Sequence, residues 1–260
     1  LGLAIWVVVA VIAIVGPALR PHNPFTLVGT PFMPPFGQYP LGTDMLGRDE
    51  LTAIIYGART SLLIGLLATA FATILGLLLG GFAGYYGGRL GELLMRLTEL
   101  FQTIPSFIFA IVIVAILSPS LKTVVLAIAV VSWPPMARLV RGEVQALRNR
   151  EFIHACVLTG LTDLRIIFGH ILPNCLSSII VTGSLMVATA ILTEYALAFL
   201  GLSDPNIMSW GFMVGAGRDF LQQAWWLCAI PGLAIALTVL AINLVGDGLN
   251  DALNPRLGRQ

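Results

Sequence analysis

Charged residues are scarce in this sequence of 260 residues: only 10% are Asp, Glu, Lys or Arg, whereas soluble domains average about a quarter. Hydrophobic residues make up 57%, and long uncharged intervals separate the charges. This excludes an ordinary soluble domain and is typical of a chain with several membrane spans. The formal net charge is only +1 and the basic residues form no extended patch, so nothing indicates a nucleic-acid partner.

Motifs of enzymatic chemistry are missing as well. The single lysine, Lys122, follows Ser-Leu, so the chain lacks the Gly-Lys-Ser/Thr loop that ATP hydrolysis requires. His22, His154 and His170 do not have the spacing of a zinc protease, and there is no Gly-x-Ser-x-Gly turn. An intramembrane serine protease would need a membrane histidine near a nucleophile such as Ser184, but the histidines fall in predicted loops. We therefore expect no catalytic residue, cofactor or metal in this chain.

Cysteine is rare and lacks a pattern. Cys156, Cys175 and Cys228 lie in or beside apolar stretches, are odd in number and do not have metal-ligand spacing. We interpret all three as packing residues.

Long apolar runs dominate what remains. A helix needs about 20 apolar residues to cross the ~30 Å hydrocarbon layer, because its backbone amides must be bonded within the segment. This length predicts an all-α polytopic membrane helix bundle with spans at 1–19, 60–86, 100–117, 121–137, 175–200 and 226–245. The fourth is short enough to be a re-entrant segment unless Lys122 and Arg138 snorkel from its ends. The first has no cleavage site and no basic leader, so we interpret it as a span whose cytoplasmic lead is missing.

The basic residues predict the orientation of these spans. If the first span runs outward, most arginines fall on the cytoplasmic side, namely Arg89, Arg96, Arg138, Arg141, Arg148, Arg150, Arg165, Arg256 and Arg259. The remaining basic residues fall outside, namely Arg20, Arg48, Arg59, Lys122 and Arg218. This bias predicts that both termini are cytoplasmic and that residues 20–58 and 201–225 are external.

Two features of the spans have alternative interpretations. Gly76, Gly80 and Gly84 form a stripe that allows another helix to approach closely, either within this chain or in another subunit. Glu194 either lines a substrate pathway, together with Tyr195 and Asn243, or is a packing group bonded to Tyr195 or Ser184.

A polar cytoplasmic stretch, residues 141–174, separates the fourth and fifth spans and is long enough for two short helices. The pattern predicts a helix at 151–158 that Gly160 ends, and a second helix that starts near Asp163 and that Pro173 stops. The two predicted apolar stripes consist of Phe152, Ala155 and Cys156, and of Leu164, Ile167, Phe168 and Ile171.

These residues carry a family resemblance. Glu151-Phe152-Ile153-His154-Ala155-Cys156, followed by Gly160 and Ile171-Leu172-Pro173, resembles the cytoplasmic coupling loop of binding-protein-dependent ABC importer permeases. Leu41-Gly42-Thr43-Asp44 with Gly47-Arg48-Asp49, and Asn243 to Asp251 with Asn254-Pro255, resemble the C-type permeases of the dipeptide, oligopeptide and nickel branch. The likeness runs from about residue 41 to 257, so it covers most of the chain.

The resemblance implies a type I ABC importer permease fold, with a permease core at 59–260, in a bacterial or archaeal inner membrane. It implies a second homologous permease, two ATPases that bind ATP and Mg, and an extracytoplasmic substrate-binding protein as partners. The residues it assigns to ATPase coupling are Glu151, His154, Ala155, Cys156, Gly160, Ile171, Leu172 and Pro173.

The sequence departs from the family pattern at two places. His154-Ala155-Cys156 replaces the usual Glu-Ala-Ala, which weakens an electrostatic role for position 154, and Asn254-Pro255 replaces Asp-Pro. The implied substrate is a di- or oligopeptide, with nickel or a metal chelate as the alternative. Two other classes of function are an ion-coupled secondary transporter, which would need internal repeats, and a non-transporting membrane scaffold.

Overall fold

The computed structural model describes residues 1–253 and shows a bundle of α-helices. Arg256, Arg259 and the Asn254-Pro255 pair lie outside the described residues. The helices are α1 Gly2–Leu19, α2 Glu50–Tyr86, α3 Gly88–Thr103, α4 Ser106–Leu117, α5 Leu121–Arg148, α6 Glu151–Leu158, α7 Asp163–Ile166, α8 Leu176–Phe199, α9 Trp210–Gly217 and α10 Trp226–Leu253. A π-turn at Ile167–Ile171 and a 3₁₀-turn at Leu172–Cys175 join α7 to α8.

Five helical segments are long and apolar enough to cross a membrane: α1, α2, α5, the stretch from α7 through α8, and α10. The pair α3 and α4 passes the same test only when both helices are counted as one bent span. The predicted all-α membrane helix bundle is confirmed, with five or six crossings depending on that pair.

The third predicted span, residues 100–117, is wrong as a single helix. The axes of α3 and α4 differ by 81°, and the break lies at Ile104, whose backbone is extended (φ −91°, ψ 127°). Pro105 explains the break, because a proline disfavours helical geometry in the residue before it. The 12 residues of α4 extend only about 18 Å, less than the hydrocarbon layer.

Two other helices are longer than predicted. The second helix begins at Glu50, ten residues before the predicted start at Thr60, because Asp49 caps it by accepting a hydrogen bond from the amide of Thr52 at 3.1 Å. The helix α5 continues through Pro134 and Pro135 to Arg148, so residues 141–148 belong to α5 rather than to a separate loop.

The glycine stripe of α2 packs against α5. A Cβ at Gly76 would lie 2.6 Å from the Met136 side chain, and one at Gly80 would lie 2.3 Å from the carbonyl oxygen of Ala137. At Gly84 the closest atom would be Cβ of Val144, at 2.8 Å. The interpretation as internal packing is therefore confirmed, because the helix in contact belongs to the same chain.

The two predicted external segments fold back onto the bundle. Trp210, the first residue of α9, is buried, and its indole Nε1 donates a hydrogen bond to the carbonyl of Ile54 at 3.0 Å. Residues 20–49 have no regular strand, only isolated bridges that pair Leu27 with Arg48 and Thr43 with Asp49. Both segments thus lie at the end of the bundle where α2 begins.

Candidate functional site

The helix α6 lies at the opposite end of α2, and its one buried side chain is that of Ile153. Ile153 is 1% exposed and belongs to the hydrophobic cluster that contains Val144 of α5 and Ile166 of α7. Cys156, one turn later, is half-buried against the same cluster. Glu151, His154 and Ala155 are exposed. The helix therefore has an inner face at Ile153 and Cys156, and an outer face that carries three of the predicted coupling residues.

The predicted apolar stripe of α6 is wrong in two of its three members. Phe152 and Ala155 are exposed, and only Cys156 contacts the cluster. The burial of Ile153 explains this, because residues 153 and 156 share one side of a helix whereas 152 and 155 lie on the adjacent side.

A glycine turn ends α6. The amide of Leu161 donates to the carbonyl of Cys156 at 3.2 Å, and the amide of Gly160 donates to the carbonyl of Val157 at 3.0 Å. This pair of bonds is a Schellman motif, which requires a left-handed residue, and Gly160 has φ +78°. The turn leaves Leu158 87% exposed at the tip of the segment.

The start of α7 is tied to the end of α2. The hydroxyl of Tyr85 donates a hydrogen bond to Oδ1 of Asp163 at 2.9 Å, and the guanidinium of Arg148 lies 5.9 Å from the centre of the Tyr85 ring. Asp163 occupies the predicted first turn but makes no side-chain cap there, because Thr162 is the N-cap residue. Sequence reasoning missed Tyr85 and Arg148, since no local pattern links positions 78 residues apart.

The chain from α7 into α8 is continuous, which corrects two further predictions. Pro173 does not stop the helix, because the π-turn and the 3₁₀-turn carry the chain directly into α8. In the second predicted stripe, Ile167 and Ile171 are buried, but Leu164 and Phe168 are about half exposed.

The predicted coupling residues therefore divide into two groups. Ile171 and Leu172 are buried in the hydrophobic cluster that holds Ile153, so they anchor the 151–173 segment to the bundle. The exposed group consists of Glu151, His154, Ala155, Gly160 and Pro173, and the half-buried Cys156 lies between the two groups. Large apolar side chains add to this exposed surface, namely Phe152, Val157, Leu158 and Leu164. An exposed apolar surface with few charges is suited to contact with another protein.

The predicted pathway residues do not form one cluster. Glu194 is 3% exposed, and its Oε1 accepts a hydrogen bond from the hydroxyl of Ser209 at 2.7 Å. Gly246 of α10 lies against Ser184, which is ten residues, or about 15 Å, from Glu194 along α8. Asn243 is only one helical turn from Gly246 on α10. It is therefore nearer to the level of Ser184 than to the level of Glu194 along the bundle.

The partner of Glu194 differs from both predicted ones. Ser209 is the N-cap residue of α9, and its hydroxyl also accepts the amide of Phe212 at 3.0 Å. A Cβ at Gly211 would lie 2.9 Å from both carboxylate oxygens, so α9 packs directly on this group. Tyr195 is half-buried, with its ring centre 6.3 Å from that of Phe199. The geometry favours a packing role for Glu194.

The motif from Leu41 to Asp49 has a structural role. Thr43 is fully buried, its hydroxyl donates to the carbonyl of Thr30 at 2.7 Å, and its carbonyl accepts from the indole of Trp226 at 3.3 Å. Asp49 caps α2 and also forms an ion pair with Arg20 at 2.9 Å. The motif thus joins the ends of α1, α2 and α10.

Comparisons with known proteins agree with this architecture. A family model described as "Binding-protein-dependent transport system inner membrane component" matches residues 76–259. The chain is 44% identical to the di/tripeptide transport system permease protein DppC of Pseudomonas aeruginosa, over 98% of this chain and 87% of that protein. It is 40% identical to the dipeptide transport system permease protein DppC of Bacillus subtilis, over 99% of this chain and 82% of that protein.

Solved structures show the same fold. A chain of the MetNI methionine ABC transporter in an inward-facing conformation superposes with a TM-score of 0.64 at 17% identity, covering 78% of this chain and 97% of that chain. A chain of an amino acid ABC transporter superposes with a TM-score of 0.60 at 14% identity, covering 78% of this chain and 95% of that chain. The family match and the identity to these permeases together show that the chain belongs to the binding-protein-dependent inner membrane permeases of ABC importers.

Proposed function

We propose that this chain forms half of the translocation pathway of an ABC importer for di- and oligopeptides. The observation that carries the proposal is its identity of 40% or more, over nearly the whole chain, to permeases named for dipeptide and di/tripeptide transport. Nickel or a metal chelate is the alternative cargo, but within residues 1–253 no three His, Cys, Asp or Glu side chains are grouped as metal ligands. Family membership favours an importer subunit over an ion-coupled transporter or a scaffold.

The outer face of α6 is the proposed contact with an ATPase. Its support is the combination of an exposed apolar tip at Leu158 with a rigid base, in which Ile153, Ile171 and the Tyr85–Asp163 hydrogen bond fix the segment to the bundle. ATP and Mg bind to two separate ATPases, and their closure displaces the 151–173 segment. Because the segment continues into α8, this displacement reaches the membrane part of the bundle.

The proposed orientation places this end of the bundle in the cytoplasm. Four arginines support it, because Arg148 at the end of α5 and Arg165 in α7 adjoin or belong to the 151–173 segment, and Arg89 and Arg96 lie on α3, which follows the end of α2. Residues 1–19 then form the first span, residues 20–49 face outward for the substrate-binding protein, and both termini are cytoplasmic. A second homologous permease completes the pathway.

Transport by the reconstituted complex tests the proposal. Uptake of a labelled dipeptide into vesicles should require ATP and the binding protein, and Ala155→Asp should abolish it, because the carboxylate would be forced against the ATPase surface. Ala155→Ser adds only a hydroxyl and should retain most uptake. Uptake of nickel instead of the dipeptide would refute the peptide assignment, and full activity of Ala155→Asp would refute the contact.

A further inference from the structure

A groove of about 380 Å³ opens on the side of the bundle between α1, α2 and α8. Its lining is apolar, with Trp6 and Ile14 on α1, Leu63 and Leu66 on α2, and Val187 on α8. The one charged residue in the lining is Arg59 of α2. The groove is therefore apolar along most of its length and has a positively charged side chain at one end.

Arg59 lies beside α1, a little more than one helical turn before the C-terminal end of that helix. Gly16 of α1 packs against Ile55, and Arg59 follows Ile55 by one helical turn, beside Ala13 and Ile14. Ile14 is five residues before the end of α1 at Leu19, which corresponds to about 8 Å. An arginine side chain can cover this distance by snorkelling, so its guanidinium reaches the level of the lipid headgroups.

The charge of Arg59 has no counter-charge within residues 1–253. The ion pairs found there join Arg20 to Asp49, Arg48 to Asp44, and Arg218 to Asp219. The side chain of Arg59 is exposed and also makes no hydrogen bond to the described chain. Charges along membrane helices are usually paired, so the exposed guanidinium of Arg59 is free to bind an anionic group from outside this part of the chain.

We propose that the groove binds a phospholipid, with the phosphate on Arg59 and an acyl chain along the apolar lining. The guanidinium fork matches phosphate oxygens in a bidentate geometry, which supplies the missing counter-charge. The order of the groove, cationic at the headgroup end and apolar towards Trp6 and Leu66, matches the order of a phospholipid. The neighbouring surface of α1 is exposed and aliphatic at Val7, Val8 and Val11, as expected of a face in contact with lipid.

Native mass spectrometry of the intact importer complex tests this site. The complex is delipidated and then incubated with phosphatidylglycerol or with diacylglycerol of the same acyl chains, which lacks the phosphate. Phosphatidylglycerol should be retained, diacylglycerol should not, and Arg59→Gln should weaken retention about tenfold, the effect of losing one charge-assisted bond. Arg59→Lys keeps the charge and should restore part of the retention.

Two variants of α1 separate the groove from the general lipid surface. Ala10→Phe fills the groove and should abolish retention, whereas Val8→Phe places the same phenyl ring on an exposed face outside the lining and should leave retention unchanged. Equal retention of both lipids, or undiminished binding by Arg59→Gln, would overturn the proposal. A cross-link from position 59 to a second permease would also overturn it, because the groove would then be a subunit interface.

Discussion

At the scale of single residues, two positions of the 151–173 segment determine its shape. Ile153 fixes α6 to the bundle, and Gly160 permits the turn that presents Leu158. The sequence predicted that Gly160 ends α6, because a glycine that follows a short helix commonly adopts the left-handed conformation that terminates it. It did not identify Ile153, because Phe152 and Ile153 are adjacent apolar residues and only tertiary packing decides which of them faces inward.

Truncation of Ile153 should release α6 from the bundle. Ile153→Ala removes a fully buried side chain and should cost about 2–4 kcal/mol of local stability. Trypsin should then cleave faster at Arg150 and Arg165, the basic residues on either side of α6. Leu158→Ala truncates an exposed side chain of similar size and should leave the cleavage rate unchanged. Equal cleavage of the two variants would show that Ile153 is not the anchor.

Substitution of Gly160 should strain the turn. Gly160→Ala places a Cβ at φ +78°, which costs roughly 1 kcal/mol or more, and ATP-dependent uptake should fall because the tip is displaced. The control is Gly142→Ala, since a Cβ at this helical position of α5 meets no atom within 4 Å and alanine favours the helix. Melting temperatures measured for both complexes should fall only for Gly160→Ala.

At the scale of helices, the positions of the apolar runs were predictable, but the ends and the continuity of the helices were not. Residues 175–200 and 226–245 anticipate most of α8 and α10, because charge-free runs of this length have few other solutions. Prolines had opposite outcomes: Pro105 separates α3 from α4, whereas α5 continues through Pro134 and Pro135. We attribute the continuity of α5 to tertiary packing. Trp133, Met136 and Ala137, which flank the two prolines, are buried against the rest of the bundle and hold α5 in place.

The contact between α2 and α5 can be tested with adjacent glycines. Gly80→Ala would place a Cβ 2.3 Å from the backbone oxygen of Ala137, so the helices must separate, at a cost of about 1–3 kcal/mol or more. Gly81→Ala is the matched control, because its nearest neighbour would be 3.8 Å away. Thermal unfolding of the purified complex should show a loss of stability for Gly80→Ala alone, and equal behaviour of the two would contradict this packing.

At the scale of the whole molecule, the chain presents two different ends. One end carries residues 20–49 and α9, which are tied together through Thr43, Asp49 and Trp210. The other end carries the 151–173 segment, which the Tyr85–Asp163 hydrogen bond joins to α2. Family motifs predicted both ends, but the long-range contacts that stabilise them join positions too far apart for any sequence pattern to reveal.

Site-specific photo-cross-linking can determine whether the outer face of α6 contacts an ATPase. A photoreactive amino acid is placed at Leu158, the exposed tip of the 151–173 segment, and, as a control, at Phe36, which is 91% exposed at the other end of the chain. The probe at Leu158 should cross-link to an ATPase subunit in the intact complex, whereas the probe at Phe36 should not. A cross-link from Phe36 to the ATPase, or none from Leu158 in an active complex, would show that the ATPase does not bind the outer face of α6.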